Sequence, residues 1–216
     1  MTPMLPTPAS PLKIGTRGSP LALAQAHETR DRLAAAFDLP HQAFEIVVIQ
    51  TTGDRVLDRP LKELGGIDIA VHSMKDMPVD QPPGLVLECY LPREDVRDAF
   101  VSASVARLSD LAEGAVVGTS SLRRRAQLLN FRPDLQVVEF RGNVQTRLKK
   151  LEDGVALATF LAMAGLNRLG MAEVAASAIE PEEMLPAVAQ GAIGIERRGD
   201  DTRAAGLLEA IHDIPT

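Results

Sequence analysis

The chain has 216 residues and a net charge of −6, and 45% of its residues are hydrophobic, which is enough to bury one large core or two modest ones. Its acidic balance, with six phenylalanines, one tyrosine and no tryptophan, argues against a nucleic-acid-binding protein, which normally carries a basic stripe or aromatic stacking platforms. No apolar stretch approaches a membrane span, and prolines interrupt the N-terminal segment where a signal peptide needs an apolar run, so we expect a cytoplasmic protein without a membrane partner.

Short apolar runs alternate with helical patterns along the chain, as in an α/β protein whose mostly parallel sheets are flanked by helices. The predicted strands cover residues 12–16, 44–51, 67–73, 84–91, 115–119, 135–140 and 155–160. The predicted helices cover residues 19–37, 121–130, 143–152 and 201–213. Two segments, 93–110 and 191–201, are interpreted as crossings between two lobes. Lobe 1 is then predicted to comprise residues 1–97 and 196–216, and lobe 2 residues 98–195.

The first strand is followed by a turn, GTRGSPLALAQA, that combines a helix cap with a cation. Ser19 is a natural N-cap and Pro20 a natural first helical residue. Free backbone N–H groups and the positive end of the helix dipole then face outward beside Arg17. The turn therefore predicts an anion site.

The strand IDIAVHS leads into MKD, which places charged side chains at the carboxyl end of a strand. Asp76 is the carboxylate that we expect to take part in chemistry, with Lys75 beside it. The alternative is a solvated Lys–Asp pair in a loop. His72 has no second ligand at a suitable spacing, so we predict no metal site.

The stretch GTSSLRRRAQL concentrates hydroxyl groups and arginines at the start of another helix. Thr119 and Ser121 offer hydroxyl and N–H groups there, and Arg123 and Arg124 follow within one turn, which predicts a second anion site. The alternative is that the arginine run is a solvated helix face.

A third such turn, FRGNVQTR, follows the next predicted strand. Gly142 allows a sharp turn, Asn143 caps the helix, and Arg141 and Arg147 flank its start. Every helix needs a cap, but turns of this kind converge at the carboxyl ends of the strands in an open α/β sheet, so we expect a shared ligand with several negative groups. Nucleotide-binding glycine motifs are absent from the sequence, and the planar fork of arginine suits carboxylates, which favours a small polycarboxylate.

Six motifs carry a resemblance to a known family. In chain order they are TRGSPLALAQA, DIAVHSMKDMP, GTSSLRRRAQL, RGNVQTRL, LAMAGLNRLG and LPAVAQGAIGIE, and they resemble those of the porphobilinogen deaminase (hydroxymethylbilane synthase) family. The resemblance implies a haem-pathway enzyme that condenses four porphobilinogens head to tail into hydroxymethylbilane with release of ammonia. It also implies two lobes similar to periplasmic binding proteins with an interlobe cleft, and a third domain whose cysteine bears a dipyrromethane cofactor. The expected partner is this polycarboxylate pyrrole, and we expect a monomer.

The resemblance also implies roles for individual residues. Asp76 matches the catalytic aspartate, which stabilises the cationic intermediate formed as ammonia leaves. Ten positions match residues that bind the acid side chains of substrate or cofactor in the family: Arg17, Ser19, Lys75, Thr119, Ser121, Arg123, Arg124, Arg141, Arg147 and Arg168. Gln190 lies near them.

The sequence departs from the family pattern in three places. After Gly66, LKELGG runs directly into IDIAVHS, where the family has a lysine-containing lid; the lid is either deleted or missing only from the recorded sequence, and we favour the second because lids are flexible. Leu157 stands where the family usually has an aspartate. The sequence ends at Thr216, so we expect the third domain and its cysteine to be absent.

The single cysteine, Cys89, does not match the position of the cofactor cysteine. It lies in the apolar run LVLECYL, where a buried structural thiol is expected. We therefore expect no covalent dipyrromethane on this chain. Two alternatives to a working enzyme remain: a noncatalytic two-lobed polycarboxylate-binding module, or an inactive truncated form of the enzyme.

Overall fold

A computed structural model of the chain describes residues 3–49 and 66–216. The chain divides into two compact units, Met1–Glu94 with Ala192–Thr216 and Asp95–Gly191. The predicted lobe boundaries, after residues 97 and 195, lie a few residues further along the chain. Each unit contains a five-stranded sheet.

Ten strands and five α-helices make up the regular structure of the described residues. The strands are β1 (Leu12–Arg17), β2 (Phe44–Ile49), β3 (Ile69–Ser73), β4 (Leu85–Tyr90), β5 (Asp98–Ser102), β6 (Val116–Gly118), β7 (Gln136–Val138), β8 (Ala158–Ala162), β9 (Ser177–Ile179) and β10 (Ile193–Arg198). The helices are α1 (Pro20–Phe37), α2 (Leu122–Phe131), α3 (Val144–Glu152), α4 (Met163–Arg168) and α5 (Thr202–Glu209).

The sheet of the first unit has the order β2-β1-β3-β10-β4. β1 pairs in parallel with β2 and β3, whereas β10 is antiparallel to both β3 and β4, so β10 alone among these five strands runs in the opposite direction. Apolar side chains of α1 and α5, such as Leu33 and Leu207, pack with Ile14, Ile69 and Ile193 in one buried cluster. This packing fixes α1 on the sheet and so fixes the turn that precedes the helix.

The sheet of the second unit has the order β7-β6-β8-β5-β9 and follows the same plan. β6 is parallel to β7 and β8, and β5 is antiparallel to β8 and β9. Phe100 and Phe160 pack with Leu128 of α2 in one core cluster, while Val101 and Leu161 belong to a second cluster with residues of α3 and α4. Helices therefore contribute to both apolar clusters.

The α/β fold class is confirmed, but both predicted crossings contain central strands. β5 lies within 93–110 and β10 within 191–201, and each supplies the antiparallel strand of its sheet. Their apolar runs are short and flanked by charged residues, which made them resemble surface segments. β9 and α4 were not predicted. The helix predicted at 201–213 ends at Glu209, and the strand predicted at 155–160 runs from Ala158 to Ala162. The end of the strand predicted at 44–51 lies outside the described residues.

Candidate active site

The first candidate site lies where β1 and β3 end. These neighbouring strands are parallel, with Ile14 opposite Ile69, so their carboxyl ends meet at one edge of the sheet. β1 ends at Arg17, and β3 is followed by a 3₁₀ turn whose last residue is Asp76. Arg17 Nη2 donates a hydrogen bond to Asp76 Oδ2 at 3.2 Å, and the two side chains are 59% and 49% exposed. The structure thus brings two predicted site residues together, where solutes can reach them.

Polar contacts fix the backbone on both sides of this pair. Gln25, buried on α1, donates from Nε2 to Ser73 Oγ at 2.8 Å and so ties the helix to the end of β3. The predicted cap of α1 is confirmed, because Ser19 Oγ accepts from the backbone N–H of Ala22 at 3.3 Å. Lys75 lies exposed on the 3₁₀ turn beside Asp76.

Hydroxyl groups at the start of α2 accept hydrogen bonds from nearby backbone N–H groups. Ser121 is the predicted N-cap, and its Oγ accepts from the N–H of Arg124 at 3.4 Å. Thr119, which is buried, accepts from the N–H of Ser121 at 3.2 Å. Ser120 Oγ accepts from the N–H of Phe140 at 2.8 Å and joins this turn to the segment after β7. These bonds give the turn a defined shape before any ligand binds.

Arg123 and Arg124 converge on one carboxylate, that of Asp98 at the start of β5. Arg124 donates from Nη2 to Oδ1 at 2.7 Å and from Nε to Oδ2 at 3.2 Å, and Arg123 Nη2 donates to Oδ2 at 2.7 Å. The alternative that the run is a solvated helix face is wrong for Arg124, which is buried, whereas Arg125 is exposed.

Asp98 was not predicted from the sequence, because it lies in a segment that was interpreted as a crossing. Burial alone would raise the pKa of its carboxyl group, but the charge of Arg124 and hydrogen bonds from Arg124, Gln190 and Arg123 lower that pKa below its usual value. The available signal was an acidic residue opening the apolar run DAFV, since a charge in a buried strand needs a cation beside it.

The third turn has the predicted form. Gly142 has φ +128°, which L-residues with side chains rarely adopt. Asn143 caps α3, and its Oδ1 accepts from the N–H of Thr146 at 2.9 Å. Arg147 Nε donates to the carbonyl of Gly142 at 2.9 Å, so this arginine also stabilises the turn.

The other predicted residues of the second unit differ in exposure. Arg141 is exposed and forms a 3.4 Å ion pair with Glu139. Arg168, at the end of α4, donates from Nη2 to the carbonyl of Gly191 at 2.9 Å. Gln190 is buried and donates from Nε2 to Asp98 Oδ1 at 2.9 Å. Exposed Arg141 is open to a solute, whereas buried Gln190 belongs to the Asp98 network.

Cys89 is buried, as predicted, and its thiol lies 3.5 Å from the carbonyl of Leu208. Burial raises the pKa of the Cys89 thiol to about 12. The residues around it therefore do not fit a covalently attached dipyrromethane.

Within residues 3–49 and 66–216, no cluster of three or more histidine, cysteine or acidic residues could hold a metal ion. In the same part of the chain, no helix combines the length and apolar character needed to cross a membrane.

Comparison with solved structures supports the fold. A periplasmic substrate-binding protein of an ABC transporter from Coxiella burnetii has a TM-score of 0.56 at 15% identity, over 94% of this chain and 92% of that one. A nutrient binding protein from Burkholderia cenocepacia bound to methionine also gives 0.56, at 14% identity over 93% and 91%. At this identity the likeness shows the fold alone, and it confirms the expected similarity to periplasmic binding proteins.

Curated relatives are much closer in sequence. Porphobilinogen deaminase from Paracoccus denitrificans is 71% identical over 225 residues, which cover 97% of this chain and 72% of the relative. The chloroplastic porphobilinogen deaminase of Oryza sativa subsp. japonica is 55% identical over 223 residues, with 95% and 62% covered. Both alignments are longer than this 216-residue chain, so each relative has residues within the matched region that this sequence lacks.

The family model described as porphobilinogen deaminase, dipyromethane cofactor binding domain, matches residues 12–67 and 65–206. The two matched ranges meet where LKELGG passes into IDIAVHS, the place at which the resemblance implies a further segment. The matches support an enzyme of tetrapyrrole biosynthesis rather than a noncatalytic binding module. They also confirm porphobilinogen as the substrate of the relatives and dipyrromethane as the cofactor of the enzyme. The chain belongs to the porphobilinogen deaminase family.

Proposed function

We propose that this chain performs the porphobilinogen deaminase reaction with Asp76 as its catalytic carboxylate. The observation that carries the proposal is the position of Asp76 beside Arg17, at the carboxyl edge of two parallel strands and open to solutes. In open α/β sheets this edge is where ligands bind. Four porphobilinogens are condensed head to tail with release of one ammonia each, and one water supplies the hydroxyl group of the product, hydroxymethylbilane.

Asp76 acts on the charge that develops in this reaction. When the C–N bond of the aminomethyl group breaks, ammonia leaves and the pyrrole becomes a cation. A C–C bond to the next pyrrole then forms, and the attacked carbon loses a proton. A fixed carboxylate near the cation lowers the barrier to its formation, by about 3 to 4 kcal/mol on the scale of other preorganised groups. The hydrogen bond from Arg17 holds the carboxylate of Asp76 in place.

The exposed cations bind the acetate and propionate groups of the substrate. Taken unit by unit, the cations whose side chains are at least partly exposed are Arg17 and Lys75 in the first and Arg123 and Arg141 in the second. Their charge-assisted hydrogen bonds to carboxylates orient the pyrrole. The remaining predicted residues hold these groups in place: Ser19, Thr119, Ser121, Arg124, Arg147, Arg168 and Gln190.

Dipyrromethane, when bound, supplies the pyrrole to which the chain of rings is added. Its acid side chains suit the same cations, but its covalent attachment at Cys89 does not fit the burial of that thiol. We further propose that the two compact units are the two lobes of the enzyme and that it is a cytoplasmic monomer.

Release of ammonia from porphobilinogen tests the proposal. Unaltered chain, Asp76→Asn and the matched control Asp80→Asn are compared with a soluble dipyrromethane as acceptor. Asp76→Asn should bind substrate and keep its circular dichroism spectrum but release ammonia roughly 10²- to 10³-fold more slowly. Asp80 is exposed four residues further on, and its variant should behave as the unaltered chain. Near-normal turnover by Asp76→Asn would contradict the assignment, and no turnover by the unaltered chain would favour an inactive form.

A further inference from the structure

We propose that Asp98 is a positioning residue for carboxylate binding: it holds the guanidinium of Arg123 toward the ligand, while Arg124 balances the charge of Asp98 and does not contact the ligand. This inference rests on the proposed function, because it explains how one of the ligand-binding arginines is held. It assigns different roles to Arg123 and Arg124, which are neighbours in one motif and for which the resemblance implies the same role.

The Asp98 carboxylate is buried and receives four hydrogen bonds. Oδ2 accepts from Arg123 Nη2 at 2.7 Å and from Arg124 Nε at 3.2 Å. Oδ1 accepts from Arg124 Nη2 at 2.7 Å and from Gln190 Nε2 at 2.9 Å. Two carboxylate oxygens have about four acceptor sites, so these donors occupy the carboxylate fully. Its orientation, and with it the orientation of the donors, is fixed.

The two arginines differ in what remains open to a solute. The side chain of Arg124 is only 5% exposed, and its Nη1 donates to the carbonyl of Phe160 at 2.8 Å. The side chain of Arg123 is 24% exposed, and its Nη1 donates to the carbonyl of Leu185. Arg123 therefore extends from a buried carboxylate to the surface, where a ligand carboxylate can meet it.

The charges of this cluster allow two roles of Asp98 to be distinguished. Asp98 either positions Arg123 for the ligand or competes with the ligand for Arg123. Two arginines and one aspartate leave a net charge of about +1. If Asp98 merely competed with the ligand for Arg123, removing its charge would strengthen the binding of an anion. If Asp98 positions Arg123, the same change lets the guanidinium of Arg123 move freely. Ordering it when the ligand binds then costs free energy. Binding weakens even though the site has become more positive.

Calorimetric titration with porphobilinogen tests the inference on the 216-residue chain, Asp98→Asn, Arg123→Leu and the double variant. We expect about tenfold weaker binding for Asp98→Asn and about 10- to 100-fold weaker binding for Arg123→Leu. The double variant should bind no more weakly than Arg123→Leu, because Asp98 acts through that arginine. Asp134→Asn is the matched control: it breaks an Asp–Arg pair with Arg132 in the same unit, and its affinity should be unchanged.

Each outcome decides for or against the inference. Unchanged or tighter binding by folded Asp98→Asn would overturn it, and so would additive losses in the double variant. If Asp98→Asn does not fold, Arg123→Lys decides: it keeps the charge but not the planar fork, so binding about tenfold weaker supports positioning and unchanged binding overturns it. Absence of binding by the unaltered chain would instead overturn the proposed function, and this inference with it.

Discussion

Asp98 and Arg124 form a doubly hydrogen-bonded ion pair that is shielded from water. The Nε and Nη2 atoms of Arg124 lie 3.2 and 2.7 Å from Oδ2 and Oδ1 of Asp98, and the two side chains are 5% and 0% exposed. The pair joins α2 to β5, so the helix that carries the arginine run is anchored at a central strand. Removing one partner would leave the other charge buried with fewer contacts.

Replacement of Arg124 should therefore affect stability first. Arg124→Leu is expected to lower the free energy of unfolding by about 3 to 5 kcal/mol, because Asp98 keeps its charge but loses the buried cation that donates two hydrogen bonds to it. Arg125→Leu, one residue further along the same helix and exposed, should change it by less than about 0.5 kcal/mol. Urea unfolding of both variants measures the difference. Equal stability of the two variants would contradict a structural role for the ion pair.

The Asp98 network also predicts how stability depends on pH. The pKa of Asp98 is lower in the folded chain than its usual value, so its stabilising effect is fully present above the unfolded pKa, about 3.9, and is lost as the pH falls toward the folded pKa. The stability difference between the unaltered chain and Asp98→Asn should be constant above about pH 5 and shrink below about pH 4. Urea unfolding at several pH values measures it, and a difference that grows as the pH falls would contradict the network.

Local chemistry made much of the fold predictable from the sequence. Ser19, Ser121 and Asn143 were recognisable as caps because short polar side chains preceded helical patterns, and all three accept a backbone N–H of their own helix. Arg17 and Asp76 were each predicted to lie at the carboxyl end of a strand, but the contact between them was not predicted. Each of these features depends on residues close in sequence or on the direction of strands.

Features that depend on distant partners were missed. β5 and β10 become central strands only through pairing with segments far along the chain, and their short apolar runs give no periodic signal. The partner of Arg123 and Arg124 was missed for the same reason, since Asp98 lies 25 and 26 residues before them. A run of arginines indicates that anions are nearby, but it does not distinguish an internal carboxylate from a ligand.

The turn before α3 should tolerate no side chain at Gly142. A Cβ atom there would lie 2.6 Å from Thr146 Cγ2, and the φ of +128° is itself unfavourable for L-residues. Gly142→Ala should lower the free energy of unfolding by about 2 to 3 kcal/mol and weaken porphobilinogen binding, because Arg141 and Arg147 flank the turn. Gly154→Ala, at φ +74° with open space around the added Cβ, is the control and should cost about 1 kcal/mol. Equal effects in thermal unfolding would contradict the steric argument.

The thiol of Cys89 should resist both alkylation and attachment of a dipyrrole. It lies in the buried cluster with Leu91 and Ile195, and burial raises its pKa to about 12, so only about one molecule in 10⁴ carries the thiolate at pH 8. Native chain treated with iodoacetamide at pH 8 should therefore show no added mass over a period in which guanidinium-unfolded chain gains one label, as the sequence has a single cysteine. Native chain incubated with porphobilinogen should likewise keep its unmodified intact mass, because attachment would place a polyanion inside an apolar core. Rapid labelling of the native thiol, or a dipyrrole-sized adduct mapped to Cys89, would show that this strand opens in solution and would make Cys89 a candidate anchor for the cofactor.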